Sequence, residues 1–349
     1  MNKQLDVVGK KELKTRKNVL LTGASGTVGQ EVLRQLYESR SKYDITVFDV
    51  KSRKSEKFLK PFGKEINIVY GNITNDDDLI KVCFDKDVVI HLAAIIPPLA
   101  DDRPELSYTV NTLGTERLIR FLEQNSPKTF FLYSSSISVY GDRLHTPWIN
   151  VNDRLNPSEG DEYAKTKILS ENLVQNCKLD WSIFRLTAIM GGHKISKLMF
   201  HQPLKTSLEI ASPKDTGRAF INAIEKQEQL SHKIFNLGGG ESCRIIYEDF
   251  LSRSFNIYGL GKFDFPPKSF AEKNFHCGYY KDGCVLDDIL NFQRDTLALY
   301  FENEKRRIPF LLKIIISIFH KPIKLYLQRQ SEPLAAYRNQ DIKLINHYF

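Results

Sequence analysis

Short apolar runs rich in β-branched residues alternate with amphipathic stretches through the first two-thirds of the chain. "NVLLTG" (18–23), "DITVFDV" (44–50), "INIVYGN" (66–72), "DVVIHLAA" (87–94) and "TFFLYSSS" (129–136) are mostly apolar throughout rather than at every second position. That pattern is expected of parallel strands covered on both faces. Between them, "GQEVLRQLYESR" and "TLGTERLIRFLEQN" carry apolar residues at helical spacing. The strand–helix–strand repetition predicts an α/β fold, a doubly wound parallel sheet with a smaller C-terminal lobe. "WSIFRLTAIMG" (181–191) and "KIFNLGGG" (233–240) supply two later strands. The expected division is an unstructured basic leader over 1–17, a sheet domain over 18–190, and a substrate lobe with a C-terminal helical region over 191–349. Within the last of these, 212–245 returns to the sheet. After about residue 255 the pattern loosens, before an apolar, basic, helix-like stretch at 306–327.

Composition narrows the class without naming a function. Hydrophobic residues make up 42% and charged residues 26% of the 349 positions, ordinary for a globular protein of this size. A net charge of +8 raises nucleic acid or a membrane surface as partners. The basic residues are spread along the chain, however, and no nucleic-acid motif accompanies them. A solvated basic surface that attracts anionic cofactors is the better reading, with no nucleic-acid partner expected. The five cysteines form no CxxC and no metal-ligand spacing, so no metal is expected and the thiols read as reduced. The first 17 residues are basic but lack the apolar core of a signal peptide, which points to the cytoplasm.

"LLTGASGTVGQEVLRQL" sets Gly23, Gly26 and Gly29 between an apolar strand and an amphipathic helix. Glycines there allow a tight turn, close backbone approach to a pyrophosphate and close helix packing, while the helix N-terminus faces the phosphates. An acid follows at the expected distance, Asp49 at the end of "ITVFDV". Its carboxylate suits the adenosine ribose hydroxyls and repels the extra phosphate of NADP. The cofactor is therefore NAD, with NADP the weaker reading because Lys51 and Arg53 follow closely.

In "DEYAKTKILSEN" (161–172), Tyr163 and Lys167 share one helix face, because positions four apart are neighbours. A tyrosine with a pKa of roughly 10 is a poor base at neutral pH. An ammonium beside it favours the phenolate, so the pair can exchange a proton with an alcohol or ketone. Alone such a pair is usually a surface feature; behind a dinucleotide loop it is read as catalytic.

The GxxGxxG spacing, with "YGNIT", "HLAA", "VNTLGT", "YSSSISVYG", "YAKTK" and "FNLGGGE", resembles the extended short-chain dehydrogenase/reductase superfamily, of the NAD-dependent epimerase/dehydratase family, over roughly residues 18–245. The resemblance implies a Rossmann domain that holds NAD through Gly23, Ser25, Gly26, Thr27, Val28, Gly29 and Asp49. It places Asn72, usually an aspartate, at the adenine amino group, and Ile73 against the adenine ring. Ala93 and Ala94 would line the nicotinamide ribose, Asn111 would open the helix supporting the active site, and Tyr163 and Lys167 would also touch the cofactor. Ser136 matches the position of the hydroxyl that binds the substrate oxygen, with Ser135 as its neighbour.

Departures from the family pattern bear on the reaction. Ile137 and Ser138 replace the Asp-Glu pair of the 4,6-dehydratases, arguing against elimination of water. Arg185 is kept, but Thr187 and Ala188 differ from the usual residues. Only about 20 residues separate Gly192 from "SPKDTGRAF" (212–220), where nucleotide-sugar enzymes of the family spend a much longer segment. The first expectation is an oxidoreductase moving a hydride between NAD and a secondary alcohol or ketone of a sugar-like or other small substrate. The second is an NAD-dependent sugar epimerase, since "YSSSISVYGD" looks like the matching strand of UDP-galactose 4-epimerase. A non-catalytic NAD-binding sensor or scaffold is the third. His193 could face the substrate, and His276, Tyr279 and Tyr280 form a polar-aromatic cluster that could close the pocket. A homodimer is compatible with the sequence.

The stretch at 305–330, "KRRIPFLLKIIISIFHKPIKLYLQRQ", mixes bulky apolar with basic residues. It is too short and too interrupted to span a bilayer. Two readings stand: amphipathic helices whose apolar faces cap the lobe, or a peripheral contact with a membrane interface.

Overall fold

The computed structural model describes residues 16–191 and 195–349. Nearly all of the expected leader, and His193, therefore lie outside the described residues. The central sheet contains β1 (Lys17–Thr22), β2 (Tyr43–Asp49), β3 (Asn67–Tyr70), β4 (Val88–His91), β5 (Phe130–Ser136), β6 (Asp180–Leu186) and β7 (Lys233–Leu237). Their order across the sheet is β7-β6-β5-β4-β1-β2-β3, and every neighbouring pair is parallel. The order reverses between β1 and β4, where a doubly wound sheet opens a crevice at its carboxyl edge.

Adjacent strand residues serve opposite faces, which explains the continuous apolar runs. Val19 and Leu21 pack with Val32, Leu36 and Phe220, from helices Thr27–Glu38 and Pro213–Ala223, on one side. Leu20, between them, packs with Leu118, Leu122 and Val174, from helices Gly114–Asn125 and Glu162–Gln175, on the other. Each large apolar side chain so buried contributes about 1.5–3 kcal/mol.

The stretch read as one strand over 181–191 is divided. Thr187 donates its N–H to the Leu237 carbonyl at 3.0 Å and its hydroxyl to the Glu209 carbonyl at 2.7 Å. The chain then leaves the main sheet, and Ala188–Ile189 pairs in parallel with Ser207–Ala211. Arg244–Ile246 adds antiparallel to the same strand, and Tyr279–Tyr280 pairs with Trp148–Ile149. A third core, around Phe200, Phe250, Phe255 and Phe270, fills the C-terminal lobe. The segment 305–330 is two helices, Phe310–Ile318 and His320–Arg329, preceded by the basic end of Leu297–Arg307.

Candidate active site

The glycine loop leaves β1 through Gly23, whose φ of +74° is in the left-handed region. A Cβ there would lie 2.7 Å from the Ala93 nitrogen, and one on Gly29 would lie 2.1 Å from the Gly23 carbonyl oxygen. Neither position accepts a side chain. Gly26 donates to the Gly23 carbonyl at 3.1 Å and caps helix Thr27–Glu38, with Thr27 exposed and Val28 half-buried at the first turn. The first N–H groups of that helix have no partner within it, which makes the loop an anion cradle. Asp49 ends β2 buried, its two oxygens accepting the N–H groups of Ser25 at 2.7 Å and Val50 at 2.8 Å. Asp49 and the glycine loop are thus one hydrogen-bonded unit, and the set fits a dinucleotide.

Asn72 lies past β3. Its amide oxygen accepts from the Thr74 N–H at 3.0 Å, which leaves one lone pair for a further donor. Ile73 is buried against helix Gly114–Asn125, where a Cβ on Gly114 would lie 2.8 Å from its methyl group. Ala93 and Ala94 follow β4, and Ala93 donates to the Thr22 hydroxyl at 3.3 Å. Asn111 sits in a π-helical turn, Tyr108–Leu113, a local widening common near functional sites. Its side chain accepts from Ile95 N–H at 2.7 Å, donates to the Ile95 carbonyl at 2.9 Å, and reaches Thr166 at 3.0 Å. One side chain therefore ties the loop after β4 to the helix bearing Tyr163.

Helix Glu162–Gln175 begins at Asp161, whose carboxylate accepts the Ala164 N–H at 2.8 Å. Tyr163 lies beside Ser136 at the end of β5, whose hydroxyl also accepts from the Ser138 N–H at 3.2 Å. Burial, then the Asp161 charge, pushes the phenol above its ordinary range, while Ser136 pulls it down. Lys167 is buried and donates to the Ser134 carbonyl at 2.7 Å, with its nitrogen 5.6 Å from the Tyr163 ring centre. Burial pushes its ammonium down to about 7, and Glu171 pulls it up. Ser136, Tyr163 and Lys167 converge. Ser135 does not join them; it is buried and donates to Glu171.

Several residues here escaped the sequence reading. Glu171, one turn beyond Lys167, is held by Arg185, and the Arg185 guanidinium also reaches the Tyr140 hydroxyl at 2.7 Å. The acid four positions after the lysine was the available signal. His91, buried in β4, lies between the hydroxyls of Thr22 at 2.7 Å and Thr115 at 3.0 Å. Thr115 donates its own proton to the Asn111 carbonyl, so Nε2 of His91 must donate and Nδ1 accept. Asp101 lies against the start of helix Glu162–Gln175, where burial pushes its carboxyl up, and His276 Nδ1 lies 2.8 Å from Asp161. Tyr280 instead donates to the Arg185 carbonyl, and Tyr279 stacks edge-on against Trp148.

A cavity of about 500 Å³ starts at Asp101 and His276, beside the first turn of this helix, and runs into the lobe. Its walls are largely apolar and aromatic, including Met190, Met199, Phe250, Tyr258 and Tyr300. Lys197 on its wall donates to Glu332 at 2.7 Å.

A doubly wound parallel sheet whose glycine loop is bonded to an acid is the frame of the extended short-chain dehydrogenase/reductase type. Residues 19–238 match the NAD dependent epimerase/dehydratase family, and the chain belongs to it; NAD is its cofactor. D-erythronate dehydrogenase of Haemophilus influenzae is 30% identical over 137 residues, 36% of this chain and 40% of that protein. The mouse 3 beta-hydroxysteroid dehydrogenase type 7 is 25% identical over 201 residues, 53% of this chain and 54% of that one. The chain thus spans about half the length, or less, of these relatives. Among solved structures, the UDP-glucuronic acid 4-epimerase of Bacillus cereus superposes with a TM-score of 0.67 at 20% identity, covering 85% of this chain and 99% of that one. The dTDP-glucose 4,6-dehydratase of Bacillus anthracis gives 0.69 at 16% identity, over 83% and 96%.

Proposed function

We propose that the chain is an NAD-dependent oxidoreductase acting on a secondary alcohol or ketone of a largely apolar small molecule. The observation that carries this reading is the placement of Tyr163 beside Ser136, with the buried Lys167 one helical turn on and its nitrogen 5.6 Å from the Tyr163 ring centre. Bound NAD supplies the hydride acceptor or donor. Ser136 and Tyr163 hold the substrate oxygen between two hydroxyls. Because burial keeps the phenol protonated at neutral pH, Tyr163 is set to give its proton to the oxygen of a ketone being reduced. In the other direction it must lose that proton first, which the Lys167 ammonium favours. Asp161 holds the helix turn, with Asp101 beside it, and Asn111 fixes the same helix to the loop after β4.

The cavity supports the apolar substrate class. Asp101 and Asp102 on its wall oppose a nucleoside diphosphate, while Lys197 and Glu332 pair with each other. The same acids oppose a sugar acid such as erythronate, whereas the steroid named for the mouse relative suits apolar walls.

The test is cofactor turnover. Purified protein is incubated with NAD and, separately, with apolar secondary alcohols and UDP-sugars. Stoichiometric NADH formation with an apolar alcohol is expected. Interconversion of a UDP-sugar with no net change in NAD would replace this reading by the epimerase.

A further inference from the structure

Helix Phe310–Ile318 contains no buried residue, although eight of its nine positions in "FLLKIIISI" are apolar or serine. Phe310 is 76% exposed, Leu311 72% and Ile318 68%, and Ile315, Phe319 and Tyr326 are more than half exposed. Only an inner edge meets the protein: Ile316 and Ile323 pack partly on the lobe core, and Leu327 is buried. A surface helix of a globular protein turns its apolar stripe inward and polar residues outward. Here both sides are apolar, and the outward residues form a contiguous exposed surface of a kind that marks an interaction site.

The charges around this surface have one sign. From 305 to 331 there are seven lysines and arginines and no aspartate or glutamate. Arg306 and Arg307 pair with Glu302 and Glu304 on the preceding helix, and Lys324 pairs with Asp264. Lys305, Lys321 and Arg329 are exposed along the rim.

We propose that this helical hairpin docks on an anionic phospholipid bilayer, lying in its interface. Phe310, Leu311, Ile315, Ile318 and Phe319 enter the acyl boundary, while Lys305, Lys321 and Arg329 meet the headgroups. Spanning is excluded for this segment. Nine helical residues cover roughly 14 Å, against about 30 Å of hydrocarbon, and no helix among the described residues is long and apolar enough to cross. A second copy of the chain is the poorer occupant, because face-to-face packing would bring two basic rims together with no acid in the segment to pair them. Charge complementarity selects an anionic surface.

The hairpin also touches the cavity wall. Helix Tyr247–Tyr258, which contributes Tyr247, Phe250, Leu251, Ser254 and Tyr258 to that wall, ends at Gly259 with φ +84°. A Cβ on Gly259 would lie 2.7 Å from the Ser317 hydroxyl and 2.9 Å from the Lys313 carbonyl oxygen. Docking holds that wall at the membrane interface.

The test uses the full chain with vesicles of phosphatidylcholine alone or mixed with phosphatidylserine. Sedimentation only with the mixed vesicles, reduced by salt, is expected. Lys305→Gln, Lys321→Gln and Arg329→Gln should each weaken partitioning by about fivefold. The double variant Phe310→Ser with Ile318→Ser should stay in the supernatant while still binding NAD. Wild-type protein that remains in the supernatant with mixed vesicles overturns the proposal. So does a double variant that sediments like wild type, since the contact would then be electrostatic only. A wild-type dimer that the double variant splits, without vesicle binding, assigns the surface to a second copy instead.

Discussion

Arg185 grips the carboxylate of Glu171 with two nitrogens, at 2.9 and 2.7 Å, and both side chains are almost sealed from solvent. Glu171 stands one helical turn from Lys167, so the arginine fixes the negative charge that opposes the loss of the lysine proton. Three charges on β6 and one helix are therefore coupled, and only Lys167 belongs to the proposed proton-transfer group.

Glu171→Gln tests that coupling. It leaves Arg185 buried without its anion, a loss of about 3–5 kcal/mol in a denaturant titration. Lys167 also loses the charge that holds its proton, so its titration moves below the present value of about 7. The limb of the pH–rate profile set by Lys167 should shift to lower pH. An unshifted profile in a folded variant would separate Glu171 from the chemistry.

Tyr163→Phe removes only the hydroxyl. Turnover should fall roughly 10²–10⁴-fold, while NAD binding, followed by fluorescence titration, stays unchanged. Residual activity above about a tenth of wild type would end the acid–base assignment. Ser136→Ala removes the hydroxyl that pulls the phenol down, and should raise the pH at which alcohol oxidation becomes fast.

Asp49→Ser should weaken NAD binding and raise the NADP:NAD ratio of kcat/KM. The substitution removes the charge that repels a 2′-phosphate, while Lys51 and Arg53 stay exposed beside it. It also removes both acceptors used by Ser25 and Val50, so total affinity falls. Steady-state kinetics with both cofactors decides; unchanged discrimination would move Asp49 away from the ribose.

His91 makes stability depend on acid. Burial, helped by the Lys167 charge, pushes its imidazole down to about 3, against roughly 6.5 in an unfolded chain. Between those values the unfolded state binds a proton that the folded state refuses, so the stability present above about pH 6.5 declines as pH falls toward 3. Urea midpoints measured across this window should show the decline, and His91→Asn should flatten it by up to about one proton. An unchanged slope would assign the decline to other groups.

Much of the fold was legible along the chain because its signals are local. Continuous apolar strands announce a sheet covered on both sides, and each of the seven strand segments found its place in it, the sixth only as far as Leu186. The glycine loop was readable too, since Gly23 and Gly29 stand where any side chain would collide with backbone. Asp49, Ser136, Tyr163 and Lys167 stood out by residue type and order, which chain direction preserves in a doubly wound sheet. Tertiary structure alone decided the rest. It committed Ser135 to Glu171, brought Arg185 to that acid, and set Asp101 beside the first turn of the Tyr163 helix across some 60 residues. Such contacts depend on loop closure rather than on neighbours in sequence, so no periodicity encodes them. The same holds for Phe310–Ile318. A helix that is apolar nearly all round does not state which side it buries, and only the packing of Ile316, Ile323 and Leu327 shows how much of it is left facing outward.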